Sequence, residues 1–239
     1  MTKNRLIFLA IFSIVGFITL QTPFTKLAGS NVSFTLFDFF GPIAGAFLGP
    51  WLGILSVLIV QLVNFVVKQS PLEAGPIIRL FPMLFAVWYF GTEYSSSERS
   101  ESRSSQDSSR QARTIQSSLV LAVPLLAILI FIAHPIGRTV WYYSLFWLIP
   151  LLAYLKRDRL LIRSLGATFT AHSVGGAAWI WAFNLPATVW QGLIPIVIQE
   201  RLLFALGIAA SYLVMKYVLS FLIAKKLLPS LDSLKPAVS

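Results

Sequence analysis

Cysteine is absent from the 239-residue chain. That excludes disulfides, thiol catalysis and cysteine-ligated metals. Histidine is almost as scarce, with only His134 and His172, so no metal site and no cofactor are expected. Charged residues make up 12% of the chain, about half the share of a soluble domain. Apolar residues take their place, at 56%. A soluble core of this length could not hide so much hydrocarbon, because surface scales too steeply with size; a lipid bilayer can. The net charge of +10 would suggest nucleic acid as the partner of a soluble protein. Here the basic residues flank apolar runs, so they signal topology, and no nucleic-acid partner is expected.

Catalytic signatures are missing too. The chain has no G-x-S-x-G, no H-E-x-x-H and no P-loop. Ser173 directly follows His172, but side chains one apart on a helix point in different directions. The chain is therefore expected not to be an enzyme, and an intramembrane hydrolase is the weakest reading.

What is present is a series of apolar runs, at 5–20, 36–49, 51–67, 77–92, 117–133, 138–155, 164–183 and 201–223. A spanning helix needs about 20 such residues. The expected fold is all-α: a polytopic transmembrane helical bundle of about eight segments, with six to eight crossings. The run at 36–49 is short and glycine-rich enough to be re-entrant instead. The first run follows Lys3 and Arg5 like a signal peptide, but no A-x-A site follows, so an uncleaved first helix is expected. Residues 93–118 are a serine-rich stretch of mixed charge, expected to be a solvated cytoplasmic loop. It divides an N-terminal half, 1–92, from a C-terminal half, 119–239.

Lysine and arginine set the orientation. If all eight runs cross, Lys3, Arg5, the serine-tract arginines, Lys156 to Arg163, Lys216, Lys225, Lys226 and Lys235 share one side. Five basic residues (Lys26, Lys68, Arg79, Arg138 and Arg201) fall on the other, out of 19 in all. That bias predicts a multi-pass protein of the cell membrane with both termini cytoplasmic.

Gly41, Gly45, Gly49 and Gly53 recur at four-residue spacing within FDFFGPIAGAFLGPWLG. On a helix the first three share a face, and a groove without side chains lets another backbone approach closely. Helix packing is the expected role of all four. Pro50 should start the next helix, since proline suits a first helical position. Asp38 stands just before the ladder. Carboxylates in apolar segments usually face a partner or a wet cavity, but aspartate is also a good helix cap. Both readings stay open.

A second concentration of polar residues lies in RSLGATFTAHSVGGAAWIWAFNLP. Thr168, His172, Gly176 and Trp179 form one helical stripe, which should face the bundle interior. His172 could gate a proton, touch a solute or bond to a neighbouring helix. Pro195 is expected to break the following stretch into an outer piece over about 188–197 and a last crossing helix. Glu200 and Arg201 are adjacent and should not face each other on a helix. Each then needs another partner, from Arg79, Arg138, Asp38 and His134.

The stretch FTLFDFFGPIAGAFLGPWLGILSVLIVQLVNFV resembles the second and third helices of the substrate-binding S components of energy-coupling-factor (ECF) transporters. AHSVGGAAWIWAFNLPATVWQGLIPIVIQERLLFALG resembles their last two helices. The resemblance implies a membrane subunit that binds a small solute, a vitamin or related micronutrient, for uptake. It implies as partners an ECF scaffold subunit and two ATPases. It also implies a pocket opening outward beneath the loop 21–35. Asp38, His172, Trp179, Asn184, Gln191 and Glu200 are the expected ligand-binding residues. Lys68, Glu73, Arg79, His134 and Arg138 form a second tier near the outer face. A usual S component has six helices and an A-x-x-x-A contact on its first helix, whereas this first helix offers Ala10, Ser13 and Gly16. The alternative is a membrane scaffold or assembly protein without a small ligand.

Overall fold

The structure is a computed structural model that describes residues 3–26, 33–92 and 106–230. The first helix, α1 (Lys3–Leu20), ends at a short antiparallel hairpin of β1 (Pro23–Lys26) and β2 (Ser33–Thr35). Then come α2 (Phe37–Phe40), α3 (Ile43–Leu48), α4 (Pro50–Val67), α5 (Ala74–Ile78) and α6 (Pro82–Gly91). After the serine tract follow α7 (Gln106–Ala133), α8 (Pro135–Thr139), a 3-10 helix (Trp141–Leu148), α9 (Ile149–Tyr154), α10 (Leu160–Phe183) and α11 (Ala187–Ala224).

Contacts fix the direction of the front half. α1 and α4 run parallel, since Ser13 and Ser56 bring their hydroxyl oxygens to 3.2 Å and Gln21 Nε2 donates to Asn64 Oδ1 at 2.8 Å. α3 runs against them. Phe12 packs on Phe40 and Phe47, with ring centroids 5.6 and 5.7 Å apart. α6 runs with α3, since Gly41 meets Met83 and Gly45 meets Gly91. α10 packs against α6, α7, α9 and α11 and forms the centre of the molecule.

One core cluster is built on Phe8, Phe12, Phe40, Phe47, Tyr89 and Phe90. The other is built on Phe131, whose ring lies 5.8, 5.1 and 5.0 Å from those of Tyr143, Trp147 and Trp190. Tyr143 stacks on it and the two tryptophans meet it edge-on, and aromatic pairs of these kinds add about 0.5–1.5 kcal/mol each beyond area burial.

Among the described residues, four helices are long and apolar enough to cross a membrane: Lys3–Leu20, Pro50–Val67, Ala74–Gly91 and Ala187–Ala224. Phe37–Leu48 and Ser118–Ala133 are apolar but shorter. The protein is thus mostly helical, and its apolar helices are compatible with a membrane location. The expected count of about eight spanning segments does not appear. The run at 138–155 is one reason, because Pro135 and Pro150 bracket a 3-10 stretch in place of a regular α-helix. α10 is another. Most of its serines, threonines and glycines face inward, with Ser164, Gly166, Thr168, Thr170, Ser173 and Gly176 all buried, and they lower its apolar character.

The all-α class holds, with one short addition: the loop 21–35 carries a two-stranded hairpin in which Thr25 and Phe34, residue types that suit strands, face each other. Other expectations need correction. Gln106 to Ser118, expected as loop, lies inside α7; that stretch holds neither glycine nor proline, so nothing in it stops the helix. The remainder of the tract, 93–105, lies outside the described residues. Pro195 does not divide α11, which runs unbroken for 38 residues, about 57 Å. A proline removes only one donor, and membrane bundles tolerate that.

The glycine ladder is not one helical face. α2 and α3 meet at Gly41–Pro42, where the Ala44 and Gly45 amides bond three residues back, as expected next to an imino acid without N–H. Gly49 does not pack against another helix. It has φ +80°, and a Cβ there would meet nothing within 4 Å. Its role is the left-handed turn that lets Pro50 begin α4. Gly45 and Gly53 do sit against backbone, the first at Val87 and Gly91, the second at Ala44 and Gly45.

Candidate functional site

Polar groups gather where α2, α10 and α11 meet beneath the hairpin. Arg201 lies fourteen residues into α11, about 21 Å from its start. It is 7% exposed. Its Nη1 donates to Thr168 Oγ1 at 3.3 Å and its Nη2 to Glu200 Oε2 at 3.3 Å. Nε, also buried, has no partner. The guanidinium lies over the rings of Phe204 at 4.3 Å and Phe34 at 5.6 Å. Glu200 and Arg201 therefore do pair, contrary to the expectation from their adjacency. The ion pair and the bond to the Thr168 hydroxyl are both long for an ionised donor, at 3.3 Å.

Asp38 reaches the same place from α2. Its Oδ2 accepts the Thr35 N–H at 2.8 Å, which ties the end of β2 to the first turn of α2. It also lines a cavity of about 30 Å³ with Arg201, Thr168 and Phe204. Asp38 thus lies on the cavity wall and is not the N-cap, a position that falls to Leu36 without a side-chain cap bond. The remaining wall is apolar, from Pro42, Met83, Ala86, Ala171 and Ile208. The hairpin closes the region from above, since Phe34 meets Phe204 edge-on at 4.7 Å and Phe24 meets Phe39 at 5.0 Å. The helical leg that starts at Phe37 is only twelve residues long, about 18 Å, and the hairpin fills the space above it.

His172 lies one turn further along α10 from Thr168. Its Nε2 is 3.2 Å from Tyr143 Oη, and the rings of Trp147 and Phe169 flank it at 6.2 and 6.1 Å. Gly176 continues the stripe and admits the Trp147 ring, which a Cβ there would meet at 2.6 Å. The stripe therefore turns inward along its length, but its members meet different partners.

The other expected residues lie apart from this cluster. Trp179 stacks on Phe183 with centroids 4.4 Å apart and carries Arg79 over its ring at 5.7 Å. Asn184 is exposed and ends α10 in the left-handed conformation, φ 48°. Gln191 is exposed and donates to Tyr142 Oη at 3.1 Å. His134 accepts the Ile136 N–H with Nδ1 and caps α8. Lys68, Glu73 and Arg138 are exposed.

Three members of the cluster, Thr168, Arg201 and Tyr143, were not among the expected ligand-binding residues, although Thr168 belonged to the expected inward stripe. Arg201 is a cation inside the longest apolar helix, and the cost of such a charge in lipid was signal enough to find it. Tyr143 had no sequence signal, because only the 3-10 path of its segment turns it toward α10.

No family model matches the chain, and no solved structure matches it. An uncharacterized protein of Methanocaldococcus jannaschii is 26% identical over 219 residues, covering 84% of this chain and 67% of that protein.

Proposed function

We propose that the chain is a membrane protein that binds a small solute for uptake, similar to an ECF transporter S component. The buried Arg201, which has an unpartnered N–H and lines a cavity together with Asp38 and Thr168, carries this reading. A guanidinium inside a membrane bundle is costly, and such groups mark binding sites and solute paths. The hairpin over the cavity supports it, because the resemblance calls for a pocket beneath that loop. In this reading the shorter legs complete eight crossings, and the hairpin faces outward. Arg163, over the rings of Phe90 and Tyr212 at 4.2 and 5.2 Å, then marks the cytoplasmic end with Lys156, Arg157 and Arg159. A scaffold subunit and ATPases would dock at that end. Coupling to a scaffold cannot use Ser13 and Gly16, since Ser13 bonds to Ser56 and Gly16 packs on Phe37 and Val60.

Thermal unfolding of the purified protein with a panel of vitamins tests the reading. A ligand should raise the midpoint, by RT ln(1 + [L]/Kd) in free energy. No response to any compound would reject it in favour of a scaffold protein without ligand. One observation favours that second reading: about 30 Å³ is room for roughly one water. The scaffold reading predicts co-purification with cell-envelope machinery rather than with transporter ATPases.

A further inference from the structure

Resting on the solute-binding reading, we infer that the solute is a small zwitterion, an amino acid with a short apolar side chain. The cavity wall has three polar side chains: one anion, Asp38; one cation, Arg201; and one hydroxyl, Thr168. The rest of the wall is apolar. Glu200 pairs with Arg201 but does not line the cavity.

Unpaired polar groups decide the class. A buried polar group without a partner is expensive. With Glu200 already on Arg201, Asp38 lacks an ionic partner among the described residues and the Nε–H lacks an acceptor. A solute with only a carboxylate would satisfy Nε but add a third anion beside Asp38 and Glu200. A solute with only an amine would satisfy Asp38 and leave the Nε–H unpaired. A molecule carrying both groups adds no net charge and gives each of them a partner. The carboxylate meets the guanidinium at the Nε edge, where a buried N–H has no partner. Nε and a terminal nitrogen together form the fork that binds a carboxylate with two hydrogen bonds. The ammonium meets Asp38, whose carboxylate can accept about four hydrogen bonds and takes one from the Thr35 N–H. The apolar wall leaves no group to pair a polar side chain, so the side chain is short and apolar.

Such a solute exceeds the present cavity of about 30 Å³. One part of the wall, Met83, and one part of its cover, Phe34, can yield. Met83 is an unbranched thioether side chain able to change rotamer. Phe34 belongs to a two-stranded hairpin, an element only marginally stable alone. Entry past Phe34 uncovers Arg201 first, because that ring lies over the guanidinium.

The test is equilibrium binding to the full chain in lipid nanodiscs, with alanine, propionate, ethylamine and a vitamin panel as probes. Alanine should bind at least tenfold more tightly than propionate or ethylamine. Asp38→Asn should shrink the alanine-to-propionate ratio to near one, while a folded melting profile confirms that the variant is intact. Propionate or ethylamine binding as tightly as alanine in the native protein would overturn the zwitterion assignment, with no variant needed. An unchanged ratio in Asp38→Asn would also overturn it. Binding of a vitamin without binding of alanine would overturn the inference and leave the solute-binding reading standing. No binding by any probe would remove both.

Discussion

Gly45 and Gly91 meet backbone to backbone. A Cβ added to Gly91 would lie 2.7 Å from the Gly45 carbonyl oxygen and 3.0 Å from its Cα. Van der Waals contact of this closeness is how helices gain packing energy in lipid, where no hydrophobic driving force separates helix from solvent.

Gly91→Ala should therefore lower the thermal midpoint in detergent, with an overpacking cost of about 1–3 kcal/mol. Gly192→Ala is the control. It lies within α11 and a Cβ there meets nothing within 4 Å. This change should stabilise by about 0.5–1 kcal/mol through backbone entropy. Equal effects at the two positions would contradict the packing.

Tyr89 ties three elements together. Its Oη donates to Pro150 O at 2.8 Å, and its ring fills the gap that Gly166 leaves on α10. Tyr89→Phe should cost about 1 kcal/mol for the lost hydrogen bond. Gly166→Ala should cost more, because its new methyl strikes a buried ring that cannot retreat. Unfolding midpoints of the two variants, compared side by side, give the order.

Arg201 and Asp38 share one cavity, and their charges should be coupled. Arg201→Met removes the ion-pair partner of Glu200 and the cation on Asp38's cavity, a loss of about 3–5 kcal/mol when a buried partner is removed. Adding Asp38→Asn to that variant should recover part of the loss. A double-mutant cycle measures the coupling, and strictly additive effects would show that the two groups ignore each other.

The proposed topology can be read with single cysteines, since the natural chain has none to interfere. Glu73→Cys, in an exposed turn before α5, should react with a membrane-impermeant thiol reagent in intact cells. Ser104→Cys and Ser230→Cys should react only after permeabilisation. Reaction of either in intact cells would place the basic clusters outside and reverse the proposed orientation.

Much of the architecture was legible in the residues. α1 and α4 follow their apolar runs closely, and Pro50 opens α4 as its position suggests. Asp38, His172 and Glu200 do gather with Thr168 and Arg201 around or beside the cavity, because polar side chains in apolar runs turn away from lipid. Trp179, Asn184 and Gln191 do not join them. Asn184 was an ambiguous signal, since a polar residue at a helix end serves as a cap as readily as a ligand. Gly49 misled for a similar reason: four-residue spacing is blind to the φ of +80° that takes it off the shared face.

Composition and apolar pattern were enough to define a cysteine-free, lipid-compatible helical chain, because the cost of hiding hydrocarbon from water depends on residue types and their order alone. Which polar groups touch, how deep the hairpin reaches and that Arg201 keeps an N–H without a partner were settled by long-range packing. Phe34 and Phe204, or Thr168 and Arg201, are far apart along the chain, and no local periodicity records that they will meet.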